Sequence, residues 1–297
     1  MPVVRPPVPH FASPAATETH HHAMTAPDNR VVLFVDLLGF AALTEQNPLD
    51  LAALKHSQHP FSGGIDQLLS ADRNPLTRAF TRFHHTMKWA IELAQMSHPL
   101  TAITFSDSAF IATIKLSESV SVAAYIIQTL LRARVPARAG IAYGSFSAVR
   151  FRSDVSLEGG DHSAHFLGSA VVRSNAAESC GIKGIRILLH PSAAVLLNES
   201  AHRSNGEEIN FVQCSQDECI NDASVQFEID YWHFKPTAEA EAWHALQDMW
   251  SAAPPPAHRH YQATAEAINR MRVSQGAPPL LNTRRRTLPR KTKTMEV

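Results

Sequence analysis

The sequence predicts an α+β fold with a ferredoxin-like β-α-β-β-α-β core, and three observations carry this prediction. Residues 31–35 form a continuous run of β-branched and aromatic residues, which is typical of a strand buried on both faces. Residues 75–94 and 117–134 each place apolar residues at helical spacing. Between these helices, two apolar runs flank Ser106-Asp107-Ser108, which predicts a β-hairpin, and another strand starts near Arg138. Strand, helix, hairpin, helix, strand is the order of the ferredoxin-like split unit.

Start and stop signals support both long helices. Pro75 stands at the first position of the first helix, where proline is tolerated, and Pro99 lies just beyond its end. Ser117-Glu118 opens the second helix in the manner of a capping box. One or two short helices are predicted within residues 41–54, directly after the first strand. We assign the apolar faces of the long helices to the hydrophobic core.

The C-terminal part of the chain adds strands and helices to this core. A polar loop is predicted before a helix that begins near Gly168, and three consecutive prolines separate two later helices. The predicted elements are the loop 153–164, the strands 185–189, 209–212 and 225–234, of which the last two pair antiparallel, and the helices 237–250 and 261–273.

Composition excludes several classes of protein. The 297 residues carry 27 Lys and Arg against 27 Asp and Glu, so the net charge gives no reason to expect nucleic-acid or membrane binding. Three cysteines are too few for a secreted disulfide scaffold. The chain has neither a run of roughly twenty apolar residues nor a signal-peptide hydrophobic region. We therefore expect a cytoplasmic protein.

Two aspartates at strand ends are candidate metal ligands. Asp36 closes the first strand, and Gly39 allows a tight turn into the next helix, which would place a carboxylate beside free backbone N–H groups. Asp107 lies at the tip of the predicted hairpin. Each has an ordinary explanation, Asp36 as a helix cap and Asp107 as a turn residue. Together they could converge on a pair of hard cations, which prefer carboxylate oxygens.

These two segments carry a resemblance to a known family. Val35-Asp36-Leu37-Leu38-Gly39-Phe40 and Phe105-Ser106-Asp107-Ser108 resemble the two metal-binding motifs of class III nucleotide cyclases. Residues 138–146 resemble the strand and glycine turn that follow in that family, residues 166–172 its loop and helix with base and transition-state contacts, and residues 185–192 its next strand and turn. The Asp-Leu-Leu-Gly-Phe and Phe-Ser-Asp-Ser forms look most like the pyrimidine cyclases of bacterial Pycsar anti-phage systems.

The resemblance implies a fold class and a domain division. The fold is a class III nucleotide cyclase core of the ferredoxin-like type with added C-terminal strands and helices. The expected division is a disordered tail over 1–29, the cyclase catalytic domain over 30–235, a helical appendage over 236–275 and a basic disordered tail over 276–297.

The resemblance also implies an activity. A uridylate cyclase would convert UTP to 3′,5′-cyclic UMP and pyrophosphate with two divalent cations, Mn²⁺ or Mg²⁺. Asp36, Leu37 and Asp107 would bind the metals, and Asp36 and Asp107 are catalytic in that sense. Backbone N–H groups of Leu37, Leu38, Gly39 and Phe40 would hold the phosphates.

Base selection departs from the purine cyclases. Adenylate cyclases of this class have a lysine and an aspartate at the positions of Ile103 and His165, and the guanylate cyclase pair does not match either. A purine site would lose its hydrogen-bonding partners, which argues for another base. Thr104 and His165 are candidate base contacts, although Ile103 and Thr104 point to opposite faces of a strand. Uridine is preferred over cytidine by resemblance, and a cytidylate cyclase is the alternative.

The transition-state residues also depart from the family. The family's asparagine and arginine correspond to Val172 and Ala176, which cannot donate hydrogen bonds. Arg173, one helical turn from the substrate-binding candidate Ser169, offers a shifted arrangement, with a surface role as the alternative. Lys235 is a further candidate contact to the polyphosphate. A catalytically degenerate nucleotide-binding protein and an unrelated α+β interaction module stay open.

The resemblance implies partners as well. The family builds its active site between two protomers, so one core copy implies a homodimer with two equivalent sites. The expected partners are a nucleoside triphosphate, most plausibly UTP, and a downstream cyclic-nucleotide-gated effector in anti-phage defence. Neither stable nucleic-acid binding nor membrane binding is expected, and the basic residues near the C-terminus are interpreted as a solvated end.

Overall fold

The computed structural model describes residues 28–48, 74–152, 162–197, 203–204, 207–208, 210–214, 225, 227–235 and 238–280. The strands are β1 (Asp28–Leu37), β2 (Thr101–Thr104), β3 (Ser108–Thr113), β4 (Ala137–Arg152), β5 (His162–Leu167), β6 (Ile187–Leu189), β7 (Arg203–Ser204), β8 (Glu207–Glu208), β9 (Phe211–Gln213) and β10 (Phe227–Ile229). The α-helices are α1 (Phe40–Gln46), α2 (Pro75–Gln95), α3 (Leu116–Arg132), α4 (Ser169–Glu178), α5 (Pro191–Ala194), α6 (Glu239–Ala252) and α7 (His258–Ser274). Short 3₁₀ turns cover Val195–Leu197, Trp232–Phe234 and Pro255–Ala257.

The main sheet has the strand order β2-β3-β1-β4-β6-β10-β9, with β5 paired to the outer part of β4. β1 runs antiparallel to both β3 and β4, and β2 runs antiparallel to β3. This order and these directions are those of the split β-α-β-β-α-β unit, so the α+β fold prediction is confirmed. β4 and β6 are parallel. β10 pairs antiparallel with both β6 and β9, and these three strands are the predicted C-terminal addition to the core.

The two faces of the sheet differ in how they are covered. Val31, Leu33 and Val35 point to the face that α2 and α3 cover, and they join the largest buried cluster of the protein. Val32, Phe34 and Asp36 point to the other face, which we call the open face. α4 covers only part of the open face, where Val32 packs with Ala170 of that helix. Because the run 31–35 is buried on both sides, it is apolar throughout.

The C-terminal helices pack onto the same core as the sheet. α6 and α7 contribute buried residues to the cluster that also contains Leu33 and Val35, namely Ala242, Leu246, Met249, Ala265, Ile268 and Met271. Helices were predicted here, over residues 237–250 and 261–273, and both begin or end within a few residues of those bounds. The division of the chain at residue 236 stays a prediction.

Several predicted bounds differ from the structure. Residues 162–167, predicted within or next to a polar loop, form β5, because β4 continues to Arg152 and offers it a pairing partner. The strand predicted over 225–234 is limited to Phe227–Ile229 and ends in a 3₁₀ turn. Asp28 and Asn29, predicted in the tail, begin β1.

The remaining predictions for residues 1–27, 49–73 and 281–297 lie outside the described residues. Within the part of the chain that the structure describes, no helix combines the length and apolar character needed to cross a membrane.

Candidate active site

Asp36 and Asp107 lie at the same end of the sheet. Asp36 is the register partner of Ser108 in the β1–β3 pair, and the next residue along, Leu37, donates its backbone N–H to the carbonyl of Asp107 at 2.9 Å. Ser106 donates its hydroxyl to Oδ1 of Asp107 at 3.0 Å. The structure therefore brings together the two aspartates that the sequence selects, because a strand end and a hairpin tip meet at one edge.

The surroundings of Asp36 favour the protonated form of its carboxyl group. Burial first, then the neighbouring carboxylates of Glu178 and Asp107, raise its pKa from 3.8 to about 7, while Arg138 opposes this. Crowded carboxylates of this kind are a common setting for divalent cations, which supply the missing positive charge.

The donor set of this end fits a divalent cation of the Mg²⁺ or Mn²⁺ type. Both side chains supply hard oxygen ligands, and Leu37 could add its backbone carbonyl. Among the described residues there is no group of three or more His, Cys, Asp or Glu side chains placed to hold a metal ion. Mg²⁺ is typically bound by one or two carboxylates together with substrate phosphates and water, so a pair is sufficient for that kind of site.

A buried ion pair adjoins Asp36, and sequence reasoning missed it. Arg138 is the register partner of Asp36 on the open face. Its guanidinium binds Oε1 of Glu178 through Nε at 2.7 Å and through a terminal nitrogen at 2.6 Å. Its other terminal nitrogen donates to the carbonyl of Ile182 at 2.6 Å. The only sequence signal is an arginine at a predicted strand start, which does not identify its partner.

The turn after β1 has the predicted backbone but fewer free donors than expected. Gly39 adopts φ 78°, in the left-handed region that favours glycine, and begins α1. The N–H of Leu37 is bound to Asp107 and that of Leu38 to the carbonyl of Pro136 at 2.9 Å. The prediction that Leu37 and Leu38 hold phosphates through these groups is therefore wrong, because the sheet uses both donors. Gly39 and Phe40 stay candidates for that role.

A second group of candidate residues, Ser169 and Arg173, lies in the first turns of α4. Ser169 and Ser145 exchange backbone N–H to hydroxyl hydrogen bonds, each at 3.1 Å, which fastens the start of α4 to β4. Arg173, one turn later, donates to the carbonyl of Tyr143 at 3.2 Å. Burial, together with the Arg173 guanidinium, lowers the pKa of His190 nearby. The hydroxyl of Ser169 thus has a structural role in addition to the predicted substrate contact.

The two family positions on α4 do not provide donors. The side chains of Val172 and Ala176 are exposed, and Val172 leaves 70% of its surface in solvent. Asn175 is exposed as well. Arg173 is therefore the candidate on this helix whose guanidinium is held in a defined place.

α4 runs along β4 and links the two ends. Its start contacts Ser145, and its last residue, Glu178, binds Arg138. The helix lies so close to the strand that a Cβ on Gly140 would come within 2.1 Å of the carbonyl oxygen of Ser174. From Arg138, beside the aspartates, to Tyr143, beside Arg173, an extended strand spans about 17 Å. Within one chain, Arg173 and the aspartates thus lie at opposite ends of the open face.

The candidate base contacts divide between the two faces. Ile103 shares the open face with its register partner Phe110, whereas Thr104 points to the opposite face with Ala109. The rings of Phe110 and Phe166 are 6.5 Å apart, and Phe166 is adjacent to the exposed His165. The structure therefore groups Ile103 with Phe110 and Phe166 on the open face, whereas the side chains of Thr104 and His165 point to the other side of their strands.

Lys235 lies away from the candidate base contacts and from the aspartates. Its ammonium lies 4.8 Å from the ring centre of Tyr125 on α3, and it borders a cavity of about 290 Å³ between α2 and α3. These helices cover the face opposite Asp36. The 3₁₀ turn Trp232–Phe234 and a hydrogen bond from Gln128 to the Lys235 carbonyl hold the backbone of this residue against α3, and its contact with the polyphosphate stays a prediction.

Comparisons with known proteins add structural similarities only. No family model matches the chain, and no curated protein matches it. The guanylyl cyclase Cya2 is similar at 14% identity and a TM-score of 0.43, over 70% of this chain and 94% of that one. The adenylyl cyclase CyaB from P. aeruginosa is similar at 15% identity and 0.41, over 69% and 96%. The guanylate cyclase domain of RhGC from Catenaria anguillulae, in complex with GTP, gives 13% identity and 0.42, over 68% and 95%. At these identities and TM-scores, a functional proposal depends on the residues of this chain.

Proposed function

We propose that this protein is a nucleotide cyclase, a phosphorus–oxygen lyase that converts UTP to 3′,5′-cyclic UMP and pyrophosphate. The observation that carries the proposal is the meeting of Asp36 and Asp107, which lie seventy residues apart in sequence, at one end of the open face. Both stand in segments that resemble the metal-binding motifs of class III cyclases. The raised pKa of Asp36 supports a site that takes up a cation.

The proposed reaction needs no nucleophile from the chain, because the substrate supplies its own. The 3′-hydroxyl of the substrate loses its proton to solvent and attacks the α-phosphorus of the same molecule, the bond from that phosphorus to the oxygen that bridges it to the β-phosphorus breaks, and pyrophosphate leaves. Divalent cations bound by Asp36 and Asp107 would supply a lowered pKa of that hydroxyl and neutralise charge on the triphosphate. The chain holds the substrate at the β1 turn near Gly39 and Phe40, and Arg173 donates hydrogen bonds to the charge that develops on the phosphoryl oxygens.

The proposal includes a homodimer. Arg173 lies about 17 Å along β4 from the aspartate end, which is too far for one chain to use both on a single α-phosphate. A two-fold pairing of open faces would bring the aspartate end of one chain to the Arg173 end of the other, and it would create two equivalent sites. A complete active site therefore needs two chains.

The proposal also specifies the nucleotide base of the substrate. Ile103 on the open face and His165 on β5 stand where adenylate cyclases have a lysine and an aspartate, and the guanylate cyclase pair does not match them either. A pyrimidine is favoured for this reason, UTP first and CTP as the alternative. The role as second-messenger synthase in anti-phage defence, with a cyclic-nucleotide-gated effector, follows from the resemblance to Pycsar cyclases.

A second candidate is a nucleotide-binding protein without turnover. Val172 and Ala176 favour it, since both are exposed and neither can donate a hydrogen bond where the family has donors. In that case the aspartate end would bind metal and triphosphate, and no cyclic product would form.

Product identification decides between these candidates. The purified protein is incubated with each of the four ribonucleoside triphosphates and Mn²⁺, and products are identified by mass. A cyclic pyrimidine monophosphate is expected. Asp36→Ala and Asp107→Ala should abolish it, whereas Asp28→Ala, at the exposed start of the same β1, should not. Binding of nucleotide without product would favour the second candidate, and product from either aspartate variant would remove the metal assignment.

A further inference from the structure

The position of Arg138 raises a physical problem for the proposed metal site. It lies directly opposite Asp36 in the β1–β4 pair, and side chains at opposite positions stand about 5 Å apart at Cβ. An arginine there would ordinarily pair with the aspartate, since oppositely charged cross-strand neighbours attract each other. Such a pair would neutralise Asp36 and compete with any cation.

The structure instead holds this guanidinium away from Asp36. Glu178 takes two of its nitrogens at 2.7 and 2.6 Å, and the carbonyl of Ile182 takes the third at 2.6 Å. Both partners of the ion pair are largely buried, with 11% and 6% of their side-chain surface exposed. All three guanidinium nitrogens are therefore committed to the end of α4 and the loop after it.

The placement of Glu178 is fixed by the packing of α4. It is the last residue of that helix, and the helix is held close to β4 at Gly140, where its backbone leaves no room for a Cβ. The start of the helix is fastened by the Ser145–Ser169 hydrogen bonds. Glu178 is thus presented to Arg138 by a helix held at both ends.

We propose that Glu178 is a positioning residue for the metal site: by binding Arg138, it keeps the cross-strand arginine from neutralising Asp36. This inference rests on the proposed function, in which Asp36 is a metal ligand. Glu178 itself contacts no substrate. Its effect is exerted through Arg138, and it consists of leaving the Asp36 carboxylate free for a divalent cation.

The test measures Mn²⁺ binding to the nucleotide-free protein, by the electron paramagnetic resonance signal of unbound Mn²⁺, so no turnover is needed. Glu178→Gln removes the charge that holds Arg138 and should weaken Mn²⁺ binding about tenfold or more. Adding Arg138→Met to that variant removes the competing cation. The double variant should therefore bind Mn²⁺ within about threefold of the wild type.

A matched control separates positioning from stability. Arg186, just before β6, and Glu228 on β10 form another buried ion pair, with Arg270 as a second partner of Glu228, on the side of β4 that is remote from β1. Glu228→Gln should lower the melting temperature without changing Mn²⁺ affinity. A purely structural role of Glu178 would give the same pattern, with a lower melting temperature, unchanged affinity and no rescue by Arg138→Met, and it would overturn the inference.

Three further outcomes keep the test decisive. If Glu178→Gln does not fold, Glu178→Asp shortens the side chain by one methylene and should loosen its contact with Arg138, so weaker Mn²⁺ binding that Arg138→Met restores is expected. A lower melting temperature with wild-type Mn²⁺ affinity in this variant would overturn the inference. If the wild type binds no Mn²⁺, or binds it equally well as Asp36→Ala, the metal assignment of the proposed function fails as well. Binding that depends on Asp36 but is insensitive to Glu178 would overturn the positioning role alone.

Discussion

The two ends of the open face differ in how much a single chain completes them. At the Asp36 end, two carboxylates lie near the Arg138–Glu178 pair, and burial together with the carboxylates of Glu178 and Asp107 raises the pKa of Asp36 to about 7. At the other end, Arg173 lies on the solvent side of α4 and is held by one hydrogen bond to Tyr143. The first end has its charges arranged by the fold of one chain. The second presents an exposed donor that, in the proposed dimer, would act on a substrate held by the partner chain.

This difference follows from the course of α4. The helix covers β4 tightly at Gly140 and ends on Arg138, so its C-terminal half desolvates the aspartate end. Its first turns carry Val172 and Arg173 outward, where they are exposed. One helix therefore leaves the aspartate end partly desolvated and the Arg173 end exposed. The proposed division of the active site between two chains predicts that lesions at the two ends can complement each other.

The largest effect is expected from mixing two inactive variants. Asp36→Ala and Arg173→Ala chains should each be nearly inactive as homodimers. In a random mixture, half of the dimers are mixed and each of these has one site with both residues intact, so about a quarter of wild-type activity should return. The measurement is cyclic nucleotide formed after co-refolding or co-expression. No recovery, in a mixture shown to contain mixed dimers, would place both residues in one chain's site.

Arg173 alone gives the next largest effect. If its guanidinium stabilises charge on the transferring phosphoryl group, Arg173→Ala should lower kcat by about a hundredfold or more. Arg173→Lys should recover only part of this, since a lysine is a single point charge without the planar fork. Asn175→Ala, also at an exposed position of α4, serves as the control and should keep full activity. Equal activity in Arg173→Ala and Asn175→Ala would identify Arg173 as an ordinary surface residue.

Stability at the aspartate end should depend on pH. Because the pKa of Asp36 is raised from 3.8 to about 7, the metal-free folded chain keeps a proton that the unfolded chain releases between these values. The unfolded state then binds fewer protons, so the free energy of unfolding falls as pH rises from about 4 to 7. Asp36→Asn removes this cost, and for a half-buried group it should stabilise the chain by about 1–2 kcal/mol at pH 8 and by little at pH 4.

Urea unfolding in the presence of a chelator measures this effect. Asp28→Asn, at the exposed start of β1, is the control and should leave stability unchanged at both pH values. A loss of stability in Asp36→Asn at pH 8 would mean that the charged carboxylate is favourably paired in the fold, contrary to the crowded arrangement described above. A gain, together with loss of activity, would show that the metal end trades stability for function.

The sequence was sufficient for the parts of the fold that depend on local patterns. The strand–helix–hairpin–helix–strand order followed from periodicity and from signals such as Pro75, and the neighbourhood of Asp36 and Asp107 followed from one strand end and one hairpin tip. The set of side chains that meet on the open face, in contrast, depends on the register between the strands. Which residue stands opposite Asp36 is decided by the pairing of β1 with β4, and no local pattern encodes it.

Non-local packing explains what sequence reasoning missed or misplaced. Glu178 reaches Arg138 because α4 approaches β4 at Gly140, which is a property of the assembled layers. The position of Lys235 beside Tyr125 on α3, after a 3₁₀ turn, was not predicted from the sequence. β5 was predicted as loop because its partner, the extension of β4, was not foreseen. In each case the deciding contact joins segments that are distant in sequence.

The smallest effect is expected at His84, which supports the aspartate end from the helical side of the sheet. Its Nε2 lies 3.3 Å from the carbonyl of Ser106, the residue before Asp107, and burial lowers the pKa of its imidazole. A neutral imidazole can donate to that carbonyl through Nε2 and so restrain the hairpin tip. His84→Ala should loosen the tip and raise the Mn²⁺ concentration needed for half-maximal activity by about twofold to fivefold, at nearly unchanged kcat. His84→Gln, which keeps an N–H donor near the same place, should lie closer to the wild type. A His84→Ala effect confined to the melting temperature would show that this contact supports α2 alone, and the aspartate end would then depend only on the open-face contacts of Arg138 and Glu178.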